Sequence, residues 1–191
     1  MNSGGRTEGS DPLSGRVRTA MKIGVVSDTH VSDGRRLPED LFLALAGVDG
    51  IVHCGDVTGL SVLTALERVA PVEAVHGNMD PPATRRALPA RRVIRLGGFA
   101  IGVMHGSGGP SGLAERLLKQ FRRERLDALL FGHSHRAETR TVDGVVVLNP
   151  GCPVVNPVSR ERTVGILHVE DDVWGEIVRL DSSLGGGRGR G

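Results

Sequence analysis

Lys22-Ile23-Gly24-Val25-Val26-Ser27-Asp28-Thr29-His30 is a short apolar, β-branched run that stops on four polar residues. A run of this kind reads as a buried strand emptying into a loop. The same pattern returns twice downstream. Gly50-Ile51-Val52-His53 ends in Cys54-Gly55-Asp56, and Val72 to Val75 ends in His76-Gly77-Asn78-Met79-Asp80. Between these runs, Pro38 stands where a first helical turn belongs, with Leu41, Leu45 and Ala46 following at helical spacing. Leu60 to Val69 has the same periodicity. Strand, helix, strand, helix, strand predicts an α/β chain with a largely parallel sheet. Right-handed crossovers bring successive strand ends to one edge, and sites in such sheets lie beyond those carboxyl ends.

Further along, Pro81 and Pro82 predict a loop. Val93 to Leu96 and Ala100 to His105 read as strands about Gly97-Gly98. Leu113 to Arg125 reads as a helix with Leu113, Leu117, Leu118 and Phe121 on one face. Ala128 to Phe131 is a strand ending in Gly132-His133-Ser134-His135. Thr139 to Val142 and Val145 to Leu148 form a hairpin about Asp143-Gly144. Thr163 to Val169 and Val173 to Leu180 form another. The pattern predicts two packed sheets flanked by helices.

The chain has 191 residues, enough for one domain with a sizeable core. Hydrophobic residues make up 39%, and no apolar run approaches the ~20 residues of a membrane span. Residues 1–20 lack the apolar stretch of a signal peptide and read, with the Gly/Arg residues 183–191, as disordered tails about a domain at 21–182. Met21 opens the first strand directly and is a candidate start. Two cysteines without a Cys-x-x-Cys pair, in a chain with no secretion signal, predict a reduced, cytoplasmic setting. Net charge is +2. Nearly all basic residues are arginine, with Lys22 and Lys119 the only lysines. One Trp, four Phe and no Tyr leave few stacking surfaces for strands of nucleic acid, so a stable nucleic-acid partner is not expected.

Five loops, each after a strand, carry the candidate ligands: Asp28 and His30, then Asp56, then Asn78, then His105, then His133 and His135. Imidazole with carboxylate and amide oxygen suits Mn, and also Ni, Fe, Co or Zn, over Ca or Mg. No thiolate is present, which argues against a closed structural zinc site. Seven side chains exceed one tetrahedral ion and suit two ions sharing a carboxylate. Glycines beside the ligands fit tight turns and close backbone approach. Asp80, His53 and His76 lie next to the loops and are candidates for orienting the ligands. His168, in a late strand, reads as structural.

In order, Asp28-Thr29-His30, Gly55-Asp56, Gly77-Asn78, His105-Gly106 and Gly132-His133-Ser134-His135 resemble the calcineurin-like metallophosphoesterase family. The short length and the Asn149-Pro150-Gly151 turn resemble its small YfcE-type phosphodiesterase branch. The resemblance spans Met21 to Leu180 and implies a four-layer αββα sandwich of two mixed β-sheets flanked by helices. It implies that one metal takes Asp28, His30, Asp56 and His135, and the other Asp56, Asn78, His105 and His133. Asp56, Asn78 and His105 would then be catalytic, and a hydroxide shared by the two ions would attack a phosphate ester in line. Many family members carry His directly after the Asn to protonate the leaving group. Met79 occupies that position here, which agrees with the small branch and predicts a preference for diesters with good leaving groups. The rival reading is a protein-interaction scaffold, since a retromer subunit shares the fold and also lacks that His. The physiological substrate and the oligomeric state, a homo-oligomer included, are left open.

Overall fold

The computed structural model describes residues 20–155, 157–159 and 161–180. Both tails read from the sequence lie outside these, apart from Ala20. The elements run β1 (Met21–Val26), α1 (Glu39–Ala44), β2 (Gly50–His53), α2 (Ser61–Leu66), β3 (Val72–Ala74), α3 (Pro82–Ala87), β4 (Arg91–Leu96), β5 (Phe99–Met104), α4 (Leu113–Leu118), β6 (Ala128–Leu130), β7 (Glu138–Val142), β8 (Val145–Asn149), β9 (Thr163–Val169) and β10 (Val173–Arg179).

The strands form two five-stranded sheets, ordered β10-β9-β1-β2-β3 and β4-β5-β6-β8-β7. Both are mixed. β1, β2 and β3 are parallel, as are β5, β6 and β8, and antiparallel strands complete each sheet. Alternation along each strand explains the layering. Ile23 and Val25 of β1 meet Ile101, Val103, Leu130 and Leu148 of the other sheet in the central core. Their neighbour Val26 faces the opposite way and packs with Leu41 and Leu45 near α1 and with Val62 and Leu66 of α2. On the far side, Leu113, Ala114 and Leu117 of α4 cover Leu129, Phe131 and Val147. The order is therefore helices, sheet, sheet, helix, as the resemblance implied.

The structure corrects one expectation and trims two others. Pro81 and Pro82 do not hold a loop. Pro82 begins α3, since the first turn of a helix has no use for the missing N–H and favours proline's fixed φ. The helix expected over Leu60 to Val69 is confined to Ser61–Leu66. That expected over Leu113 to Arg125 gives way after Leu118 to a 3-10 turn at Lys119–Phe121. The apolar periodicity runs through these turns because their side chains, Phe121 among them, still face the core.

Candidate metal centre

The parallel strands of both sheets end at the same edge, and the seven candidate ligands follow them. Asp28 and His30 come after β1, Asp56 after β2, Asn78 after β3, His105 after β5, and His133 and His135 after β6. Backbone bonds tie the loops together: Asp28 N–H donates to Gly55 O at 3.0 Å, His30 N–H to Asp56 O at 3.2 Å, and Gly132 N–H to His105 O at 3.0 Å. The path is strained. Among the described residues seven non-glycines have positive φ, and five of them are Asp28, His30, Asp56, His133 and His135. Left-handed backbone costs an ordinary residue free energy and persists where the surroundings over-determine it.

The side chains converge. Asp28 Oδ1 lies 3.0 Å from His135 Nε2, 3.6 Å from His30 Nε2 and 3.9 Å from His105 Nε2. Asp56 Oδ2 lies 3.2 Å from His105 Nε2 and 3.8 Å from His30 Nε2. Both carboxylates thus face both sides of the cluster. Asp28, His30 and His135 form one group able to hold a metal ion, and Asp28, Asp56 and His105 another. His133 Nδ1 lies 3.0 Å from Asn78 Oδ1 and its Nε2 2.9 Å from Gly108 O, which closes the open side. Asn78 and Met79 are exposed there.

Two observations fit metal ions. First, His105 Nδ1 lies 2.8 Å from Cys54 O. A carbonyl only accepts, so Nδ1 carries a proton and Nε2 is the nitrogen turned toward the carboxylates. Second, Asp28 Oδ1 and His105 Nε2 are buried with no hydrogen-bond partner. Buried polar atoms in a folded chain normally have partners. The charges are mutually held. Burial by itself would raise Asp28, but His135 and His30 outweigh it and keep its carboxyl well below the usual range. Burial likewise opposes Asp56, yet His105 and the Met79 N–H hold it low. Burial lowers His105, and the facing Asp56 and Asp28 carboxylates more than reverse it.

The surrounding residues hold this geometry. Asp80 bonds to no histidine. Its Oδ2 accepts Asp56 N–H at 3.1 Å and Gly77 N–H at 2.7 Å, and its Oδ1 accepts Thr58 N–H at 2.6 Å. His53 is buried, accepting Gly55 N–H at Nδ1 (3.2 Å) and donating from Nε2 to Thr29 Oγ1 (3.2 Å). Burial pushes its pKa down to about 4, so it braces the first two loops as a neutral ring. His76 Nδ1 lies 3.3 Å from the neighbouring Gly77 O and makes no hydrogen bond to a candidate ligand side chain. His168 stacks on Trp174 with ring centroids 3.7 Å apart, in β9 and β10, as a structural residue. Asn149 carries more than the turn read from the sequence. Its Nδ2 donates to Gly132 O and Ser134 Oγ, both at 3.0 Å, and its Oδ1 accepts Gly151 N–H, so it fixes the His133–His135 loop. Ser27, also unread, donates to Asp28 Oδ2 at 2.6 Å. Asn149 ends β8 and Ser27 directly follows β1, and only the fold reveals where such side chains point.

Two glycines are required by crowding. A Cβ on Gly77 would overlap Asp56 Oδ1, and one on Gly132 would overlap Ser27 Oγ and come within 2.7 Å of Asp28 Oδ2.

With this fold and site in place, the class follows: the calcineurin-like phosphoesterase superfamily domain matches residues 21–172, and the chain belongs to that superfamily. A probable metallophosphoesterase of Methanothermobacter thermautotrophicus is 37% identical over 166 residues, covering 86% of this chain and 95% of its own. A phosphodiesterase of Methanocaldococcus jannaschii is 28% identical, covering 83% of this chain and 99% of its own. A crystal structure of vacuolar protein sorting 29 from Entamoeba histolytica, complexed with zinc, superimposes with a TM-score of 0.63 at 27% identity, covering 84% of this chain and 100% of that one. Among the described residues no helix is long and apolar enough to cross a membrane.

Proposed function

We propose that this chain is a metal-dependent phosphodiesterase whose seven ligands hold two divalent transition-metal ions. The observation that carries this reading is the pair Asp28 Oδ1 and His105 Nε2, both buried and without hydrogen-bond partners and 3.9 Å apart. Asp28 Oδ2 is satisfied by Ser27 Oγ–H and the His133 N–H, so the deficit lies at Oδ1, and a buried polar atom left unsatisfied costs about 1–3 kcal/mol, more when it is charged. A cation between the two atoms removes that cost. One ion would be held by Asp28, His30, Asp56 and His135, and the other by Asp56, Asn78, His105 and His133. The imidazole and oxygen donors suit Mn, with Ni, Fe, Co or Zn as alternatives. When bound, the ions supply a low-pKa water as nucleophile and positive charge for the phosphoryl oxygens.

The protein's own groups do the rest. Asp56 Oδ1 is occupied by the Met79 N–H at 2.7 Å, which leaves Oδ2 as the oxygen turned toward the histidines. Asn78 turns Oδ1 toward His133, leaving its amide N–H groups to stabilise a phosphoryl oxygen. Met79 is exposed beside the centre and has no proton to give. A leaving-group acid is worth about 10²–10⁴-fold, so esters of good leaving groups are favoured. The relatives named as a probable metallophosphoesterase and a phosphodiesterase support the reading.

The test is hydrolysis of bis-p-nitrophenyl phosphate by protein stripped of metal and refilled with Mn²⁺, beside Asp56→Asn. Metal-dependent turnover that disappears in the variant is the expected result, and no turnover with Mn, Ni, Co or Zn would overturn it. Monoesters turning over much faster than diesters would sink the diester preference. A protein-interaction scaffold is the second reading, favoured by Met79 and by the likeness to vacuolar protein sorting 29. Because that neighbour was solved with zinc, turnover separates the two readings and metal binding alone does not.

A further inference from the structure

A recess of about 240 Å³ lies beside the candidate metal centre. His76, Arg85, Ala90 and Met104 wall it, and it shares Asn78 and His105 with the centre. No acidic residue lines it. Arg85 comes from α3, which Pro82 begins just beyond the loop bearing Asn78. Its side chain is tethered. Nε–H donates to Asp80 O at 2.8 Å, and Nη2 donates to Asn78 O. These bonds use two of the five guanidinium N–H donors, and the rest have no acceptor among the described residues.

Both acceptors are neutral carbonyls, so the bonds fix the guanidinium and leave its positive charge whole. Elsewhere Arg35, Arg91, Arg92, Arg140, Arg162 and Arg179 each meet a carboxylate. Arg85 forms no ion pair among the described residues. Its depth also differs from that of the ligand cluster. Asp28, Asp56 and His105 are buried, whereas Arg85 is exposed. The charge therefore lies toward the mouth of the recess, outward of the atoms that would hold metal ions. A guanidinium fork matches the paired oxygens of a carboxylate or phosphate. Being tethered already, this one loses little freedom when an anion binds.

We propose that this recess is a second anion site, in which Arg85 takes a carboxylate or phosphate carried on one ester arm of the substrate. The inference rests on the phosphodiesterase reading and deepens it by naming the substrate class. The substrate then carries two anionic groups: the diester at the metal centre, and another at the end of an arm that lies along Ala90 and Met104. Arg85 sets specificity for that arm and does not touch the reacting phosphorus.

The experiment compares two diesters that differ only in arm charge, bis(4-carboxy-2-nitrophenyl) phosphate and bis(2-nitrophenyl) phosphate. Both are symmetric, so the charged ester presents a carboxylate to the recess whichever arm leaves. In the Mn²⁺-loaded protein, kcat/KM is measured for each with wild type and Arg85→Gln. The ratio of charged to neutral kcat/KM is expected to fall about tenfold in the variant, the size of one charge-assisted contact. Taking the ratio within each protein cancels any loss of folded enzyme. Loosening of the Asn78 loop, or a role for Arg85 at the scissile phosphate, lowers both esters together. An unmoved ratio therefore overturns the proposal. If the wild type turns over neither ester, the phosphodiesterase reading fails by itself, and the recess is judged by calorimetric binding. 4-Carboxyphenyl phosphate is then expected to bind Zn²⁺-loaded protein about tenfold tighter than phenyl phosphate, and Arg85→Gln to erase the difference. Equal affinities in the wild type, or binding of neither, sink the anion site.

Discussion

Asp80 accepts the backbone N–H of Asp56 at 3.1 Å, so the loop bearing one candidate ligand is held by a side chain from the loop bearing another. The same carboxylate also takes Gly77 and Thr58 N–H groups. It is buried and joins the ends of β2 and β3 below the candidate metal centre. Asp80→Asn turns an N–H₂ toward at least one of these donors and leaves that donor unpaired. The expected cost is about 1–3 kcal/mol in the urea midpoint, with a 10–100-fold loss of Mn²⁺ affinity. Equal affinity in variant and wild type would mean that the loops keep their places without Asp80.

Asn149 performs the corresponding task under the other sheet, where its amide reaches Gly132 O and Ser134 Oγ. Asn149→Ala deprives a buried carbonyl of its donor. A loss of about 1–3 kcal/mol is expected, together with weaker metal binding at the His133–His135 side. Calorimetric titration with Mn²⁺ reads both the affinity and the number of sites.

Metal binding is expected to stabilise the chain. At 100 times its Kd, Mn²⁺ adds about 2.7 kcal/mol, which for a chain of this size raises Tm by roughly 5–10 °C. Asp28→Asn removes the carboxylate that faces three histidines, and the gain on adding Mn²⁺ is expected to disappear. An undiminished gain in the variant would place the ion elsewhere.

Gly132→Ala leaves every ligand in the sequence and is still expected to abolish turnover. The new methyl group collides with Ser27 and crowds Asp28. Overpacking of this kind costs typically 1–3 kcal/mol, occasionally more. Thermal melts with and without Mn²⁺ check it, and a variant that keeps the wild-type metal response refutes it.

His53 sets a pH dependence. Its folded pKa is about 4 against 6.5 for the free ring, because burial disfavours the cation. Between those values the unfolded chain binds more protons than the folded one, so stability rises with pH. The contribution is fully present above pH 6.5 and is lost as pH falls toward 4, a span worth roughly 3 kcal/mol. His105, raised by its carboxylates, has the opposite sign: its contribution is present below pH 6.5 and lost as pH rises through the folded value. Comparing wild type with His53→Gln in chelator isolates the first term. The variant is expected to lose slope between pH 4 and 6.5, and an unchanged slope refutes the assignment.

The elements and the candidate ligands were legible in one dimension because both depend on local pattern. Val25 and Val26 announce a strand through branching and burial on both faces, and Asp28 and His30 announce a loop because polar groups end such a strand. Pro82 misled, since a proline forbids a helix interior but favours its first turn, and neighbours alone do not tell which applies. The order of the loops identified the family. The tertiary structure decided the rest. It brought Asp28 and His135 to 3.0 Å across 107 positions of sequence. It left Asp28 Oδ1 and His105 Nε2 without partners, and it made Asp80 and Asn149 clamps. A hydrogen bond between distant loops depends on strand order, sheet packing and side-chain direction together, and none of these is a property of any short stretch of sequence.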